Sequence, residues 1–112
     1  MAQLDDVLPL TNTVFHMLVA LADSPRHGYA VAQDVEELSD GRMVLGPGTL
    51  YGSLVRMQEQ GLIQEAKNPG DEGLHAGRRR YYRITPLGTE ALRLESARLL
   101  KTATVAQRRL EG

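Results

Sequence analysis

The sequence predicts a mainly α-helical fold with a small β-hairpin and one long C-terminal helix. Three observations lead to it. Apolar residues recur at helical spacing in residues 10–22, 28–39 and 45–60. Two strand-like segments, 62–67 and 78–84, flank a stretch dense in Asn, Pro, Gly and Asp. Thr85-Pro86, an N-cap followed by a first helical residue, then opens a periodic run that continues to about residue 110.

The first helix is expected over residues 10–22. Leu10, Val14, Leu18 and Leu21 form one stripe, and Phe15, Val19 and Ala22 widen it, so the helix should be buried on two sides. Pro25 ends it. His27-Gly28-Tyr29 opens a second helix that runs to about Ser39, with Val31, Val35 and Leu38 facing inward and Gly41 closing it at C′. Residues 42–45 read as a short third strand beside the hairpin. A third helix follows with Pro47 in its first turn, where a missing N–H does no harm. Residues 62–67 and 78–84 then pair across the turn-rich stretch.

The last helix should span ~25 residues, roughly 37 Å at 1.5 Å per residue. Leu92, Ser96, Leu99, Ala103, Ala106 and Leu110 alternate in steps of four and three, a heptad pattern. Arg93, Lys101 and Arg108 lie on the other side. Such a helix overhangs the core that the preceding residues can build. Its apolar seam calls for a partner, and the simplest is a second copy of the chain; the alternative is folding back on its own domain. The expected organisation is residues 1–85 as one domain and 86–112 as a dimerisation helix.

Composition narrows the function. The chain has 112 residues, 42% of them hydrophobic, which suits one domain with a core of Leu, Val and Ala. With no Cys there are no disulfides, no thiol catalysis and no Cys-based zinc site. His16, His27 and His75 show no metal-ligand spacing, and no nucleophile–base–orienter set can be named. No run approaches the ~20 apolar residues of a membrane span, and no export signal is visible, so the cytoplasm is the expected compartment.

The net charge is -1, but its distribution is uneven. Residues 1–23 are acidic, the middle is balanced and residues 84–112 are basic. Within the middle, Arg78, Arg79, Arg80 and Arg83 crowd one strand. A local patch of this kind can bind phosphate, while the overall charge argues against tight, indiscriminate nucleic-acid binding.

Residues 45–62 carry the most functional information. At 100° per residue, Leu50, Leu54 and Met57 form an apolar stripe, and Thr49, Gly52, Ser53, Arg56 and Gln60 are expected on the opposite one. A small, hydroxylated face with one Arg can approach base edges and phosphates in the DNA major groove. A helix followed by a basic hairpin is the winged helix-turn-helix arrangement, in which the hairpin reaches along the backbone or into the minor groove. Arg56 is the first candidate for a base or phosphate contact; otherwise it is solvated or salt-bridged. Thr49 and Ser53 share its face, although Thr49 also suits an N-cap. Tyr51 lies at the edge of that face. Tyr29, near the start of the second helix, can reach phosphate or pack in the core. Arg78, Arg79 and Arg80 alternate across the strand, so at least one should point outward, and Lys67 sits across the hairpin. Tyr81 and Tyr82 point to opposite faces, so one belongs to the core.

The chain resembles the PadR-like transcriptional regulators, from about Leu10 to Leu92. The marks are His27-Gly28-Tyr29, then Gly46-Pro47-Gly48-Thr49-Leu50-Tyr51, then Glu59-Gln60-Gly61-Leu62-Ile63, then Arg78-Arg79-Arg80-Tyr81-Tyr82-Arg83-Ile84-Thr85. The resemblance implies a homodimeric winged-helix repressor that binds a palindromic operator in double-stranded DNA. No cofactor is expected from the residues, and the resemblance implies dimerisation through the C-terminal helix, commonly against the partner's first helix. It also implies a response to phenolic acids or other small aromatic or cationic compounds. Tyr51 resembles the family's recognition-helix tyrosine, which contacts DNA. The likeness is to short members with a single C-terminal helix. Because there is no Trp, it does not extend to members that hold flat drugs between Trp side chains.

Two other functions compete with this expectation. Gly46, Gly48 and Gly52 resemble a dinucleotide-binding loop, but the third Gly falls one residue late and no second βαβ unit follows. A winged-helix protein–protein interaction module without DNA binding fits the near-neutral charge better. The clustered arginines and the small polar helix face favour DNA.

Overall fold

The computed structural model describes residues 3–67 and 80–112. Five helices and three strands follow one another as α1 (Leu4–Val7), α2 (Asn12–Leu21), β1 (Arg26–His27), α3 (Gly28–Leu38), α4 (Pro47–Glu59), β2 (Ile63–Ala66), β3 (Tyr81–Ile84) and α5 (Pro86–Glu111). Thr11 caps α2 by accepting the Val14 N–H at 3.1 Å, so this helix starts two residues later than its apolar pattern. The short α1 had no signal in the periodicity.

The core gathers around α2, which packs against α3 and α5. Met17, Leu18 and Leu21 of α2, Val31 and Val35 of α3, Leu54 and Met57 of α4, and Leu62 and Ile63 are fully buried. Leu38, expected inside, is 45% exposed. It stands where α3 closes, with the amides of Asp40 and Gly41 turning back onto the carbonyls of Glu37 and Glu36. Asp40 takes the C′ position expected for Gly41, with φ 54.

The sheet is antiparallel in the order β1-β3-β2, with Ile63 opposite Ile84, Ala66 opposite Tyr81 and Arg26 opposite Tyr82. The hairpin strands lie where strand composition put them. The third strand does not: residues 42–45 form no strand, and Arg26–His27 takes the free edge of β3 instead. The reason is topological. The turn after Pro25 brings two extended residues alongside β3 just before α3 begins, whereas Met43 and Leu45 pack against the core from a loop. Tyr82 is buried and Tyr81 half-buried, as their alternation requires.

Between α4 and β2 the chain reverses through Gly61, at φ 81, a conformation that suits residues without a Cβ. The Leu62 amide reaches back to the Met57 carbonyl at 2.9 Å, and both side chains are buried. This closure fixes the angle between α4 and the sheet.

α5 is held at its start and free at its end. Thr85 caps it by accepting the Gly88 amide at 3.0 Å, and its hydroxyl also donates to the Gly61 carbonyl at 2.5 Å. Gly88, Ala91 and Glu95 form its buried stripe, and Leu87 and Leu92 pack against the core. Glu95 is 3% exposed. One of its carboxylate oxygens accepts the Leu10 amide at 2.8 Å and the other accepts Arg98 Nε at 2.6 Å. The Arg98 hydrogen bond, joined by the Leu10 amide, holds this carboxyl below the usual glutamate range against the opposing effect of burial. Beyond Glu95 the helix runs out from the body, which gives the molecule extents of 59 × 34 × 24 Å.

Candidate nucleic-acid interface

The apolar stripe of α4 fixes what its other side can do. Leu50, Leu54 and Met57 are buried, which turns Thr49, Arg56 and Gln60 outward. Gly46, the N-cap, gives no side-chain cap, and Pro47 occupies the first helical position. Thr49 is therefore an exposed residue of the first turn and not the cap. The first-turn amides of Gly48 and Thr49 are oriented toward anything placed at this helix end.

Ser53 does not share the outward face. It is 3% exposed. It follows Leu50 by three residues and precedes Met57 by four, so helical geometry places it on the buried stripe. Its hydroxyl lies beneath Arg56, accepting a hydrogen bond from Nη2 at 3.4 Å. Ser53 thus steadies the guanidinium from within and presents nothing to a duplex.

Tyr51 is 49% exposed and Tyr29 is 62% exposed, so neither is a core residue. Tyr51 rests against the start of α3. A Cβ added to Gly28 would stand 3.1 Å from the Tyr51 ring, so the glycine lets α3 and α4 approach here. His27 caps α3 by accepting the Ala30 amide at 3.2 Å. Its ring stacks on Tyr29 at 6.4 Å between centroids and meets the edge of Tyr81 at 5.5 Å. This aromatic line joins the start of α3 to the base of the wing.

Beside Tyr81, Arg80 is exposed and lies 3.6 Å from a Glu65 carboxylate oxygen. Both side chains are open to water, so the pairing is weak and leaves the guanidinium able to exchange partners. Lys67, next after β2, is also exposed. Burial pushes the Tyr82 phenol up, and Arg80 only partly offsets this. Arg78 and Arg79 lie outside the described residues. Thr49, Tyr51, Arg56, Tyr29, Lys67 and Arg80 are thus all open to solvent. The sequence reading missed the His27 bridge between two of their elements, because a tertiary ring contact leaves no local pattern.

On α5, Leu92 is half-buried against its own core, whereas Leu99, Ala103, Ala106 and Leu110 are exposed. Leu94 and Leu100, which the heptad pattern did not single out, are 43% and 70% exposed. Among the described residues, no three His, Asp or Glu side chains gather to hold a metal, and no helix is long and apolar enough to cross a membrane.

Known proteins share both the sequence and the fold. The family described as "Transcriptional regulator PadR-like family" matches residues 17–94. A transcriptional regulator of Mycobacterium tuberculosis is 40% identical over 78 residues, covering 69% of this chain and 65% of its own length. A 37.1 kDa protein of a Streptomyces fradiae transposon is 40% identical over 80 residues, 71% of this chain but 21% of that protein. The chain thus spans less than two thirds of the length of either relative. A PadR-like regulator of Bacillus cereus superposes with a TM-score of 0.72 at 23% identity, covering 97% of this chain and 96% of that one. A PadR family regulator of Clostridium difficile gives 0.70 at 20% identity, with coverages of 89% and 99%. The helix order, the basic wing strand and the matched span agree: this chain belongs to the PadR-like family of transcriptional regulators.

Proposed function

We propose that the protein is a homodimeric, ligand-responsive repressor that binds a palindromic operator in double-stranded DNA. One observation carries this reading. A strip of side chains runs from exposed Tyr51 across the start of α3, through exposed Tyr29 and half-buried His27 and Tyr81, to exposed Arg80 on the wing strand, and Thr49 and Arg56 stand outward on the same helix as Tyr51. Its side chains are hydroxyls, phenols and guanidinium groups, the donors that meet phosphates and base edges. Arg56 and Thr49 are assigned to the major groove, and Tyr51, Tyr29, Lys67 and Arg80 to the backbone, with Arg78 and Arg79 of the wing. α5 supports the dimer. Its outer half exposes Leu99, Ala103, Ala106 and Leu110, which none of the described residues covers. A two-fold axis through such a seam would present two copies of α4 to successive major grooves, ~34 Å apart. The effector, by likeness to the family, would act on that separation from near the dimer interface.

The test is selection of bound fragments from the source genome, followed by a salt series on the recovered fragment. A DNA regulator enriches a palindromic site and loses affinity with a log–log salt slope of about −0.9 for each phosphate neutralised. A protein–protein module enriches nothing. Binding indifferent to salt, or no enriched fragment, refutes the proposal.

A further inference from the structure

The outermost stripe of α4 is not the one that carries Arg56. Gly48, Gly52, Val55 and Glu59 follow one another by four, three and four residues and share one side of the helix. That side lies opposite the buried Leu50, Leu54 and Met57. Val55 is 53% exposed, and Tyr51, one turn before it, is also exposed. The backbone around it is bare. Among the described residues, a Cβ added at Gly48 would meet nothing within 4 Å, and one at Gly52 would meet only Arg56 Nη1, at 3.7 Å. The Arg56 guanidinium turns toward the Ser53 hydroxyl at 3.4 Å and leaves Val55 uncovered.

Val55 has neither donor nor acceptor, and the bases differ in what they offer it. In the major groove guanine, adenine and cytosine show acceptors or amino donors. Against a valine these groups lose water and gain no partner. Thymine also shows its 5-methyl group, the one apolar surface on the four base edges. A phosphate strand has nothing for Val55 and would be repelled by the Glu59 carboxylate one turn further on. The glycines extend the reach of so short a side chain. With no Cβ at 48 or 52, α4 can settle deep enough for the Val55 methyls to touch a base edge.

We propose that Val55 reads sequence by packing on the 5-methyl group of a thymine, one in each half-site. The proposal rests on the DNA reading above and adds to it a base that Arg56 cannot choose. A guanidinium fork selects guanine by its acceptors, whereas Val55 selects thymine by a methyl group, on the other flank of α4.

The probe is the duplex recovered by genomic selection, with each thymine replaced in turn by deoxyuridine. Uracil keeps the hydrogen-bonding edges of thymine and lacks only the methyl group. Affinity for the full chain is read by fluorescence anisotropy at fixed salt. At one thymine in each half-site, uracil should weaken binding about fourfold, the worth of one buried carbon, and about fifteenfold when both are replaced. Val55→Ala should weaken binding to the unmodified duplex and be indifferent to uracil at those two positions. Ala is favoured over Val in an exposed helix, so the variant should keep its fold, as circular dichroism checks. Half-sites with no uracil-sensitive thymine, or a sensitivity that persists undiminished in Val55→Ala, overturn the proposal. If the unmodified duplex binds and the uracil series is flat, the assignment of Val55 alone falls. If no duplex binds the protein, the DNA reading fails first and takes this proposal with it.

Discussion

Replacing Gly88 with Ala should destabilise the protein, although the same change stabilises an ordinary helix. In a helix interior Ala is favoured over Gly by about 1 kcal/mol. At Gly88 the added Cβ would lie 2.2 Å from the Leu62 carbonyl oxygen and 2.8 Å from Ile84 Cγ1. Ordinary contact needs about 1 Å more, so either α5 lifts or the carbonyl turns. The carbonyl is anchored, because it accepts the Thr85 amide at 3.0 Å, and the Thr85 hydroxyl ties the same turn down by donating to the adjoining Gly61 carbonyl at 2.5 Å. Lifting the helix strains those two bonds, each worth about 1 kcal/mol net, and overpacking adds about 1–3 kcal/mol. The propensity gain is therefore outweighed, and a net loss of about 2 kcal/mol is expected, or roughly 10 °C in Tm for a domain of this size. Gly52 supplies the control. Its added Cβ meets only Arg56 Nη1, at 3.7 Å, so Gly52→Ala should be neutral or stabilising. Urea and thermal denaturation followed by circular dichroism measure both. A Gly88→Ala protein as stable as the parent, or two variants that shift in the same direction, would refute the close-approach argument.

Three further outcomes are expected. Arg56→Ala should weaken specific DNA binding by about 1–3 kcal/mol and relax sequence choice in titrations of matched and mismatched sites; unchanged specific affinity removes Arg56 from the base-reading role. Glu95 should make stability depend on pH. Its native pKa is depressed, so its contribution is complete above the unfolded glutamate value of ~4.3 and is lost as pH falls through the lower native value. Glu95→Gln should flatten the acid limb of a Tm-against-pH curve; parallel curves count against the Leu10–Glu95–Arg98 linkage. Leu99→Glu with Leu110→Glu should give monomers in sedimentation without loss of helicity, whereas a persisting dimer places the seam elsewhere.

The elements that sequence reading located are those whose signal is local. The stripe of Leu50, Leu54 and Met57 and the cap at Thr85 each declare themselves within a few residues, and the structure keeps them. The strand at Arg26–His27 could not be read, since two residues have no period and their extended form depends on β3 arriving alongside. Ser53 was legible but misassigned. Its spacing from Leu50 and Met57 already placed it on the buried side, and its hydroxyl suggested the reverse. Glu95 was overlooked for a similar reason. A charged residue in step with Gly88 and Ala91 indicates a buried acid that must find donors, here from Leu10 and Arg98.

The docking of α5 has a mechanical consequence. Its first three turns are clamped by Thr85, Gly88 and Glu95, and the remainder projects as a stiff spar. At about 1.5 Å per residue the whole helix is roughly 39 Å long, so a swing of only 5° at one end sweeps the other through about 3 Å. Whatever grips the far end can thereby nudge the body by nearly the rise of one base-pair step (~3.4 Å), and a modest rearrangement out there becomes a misfit between protein and ladder rungs.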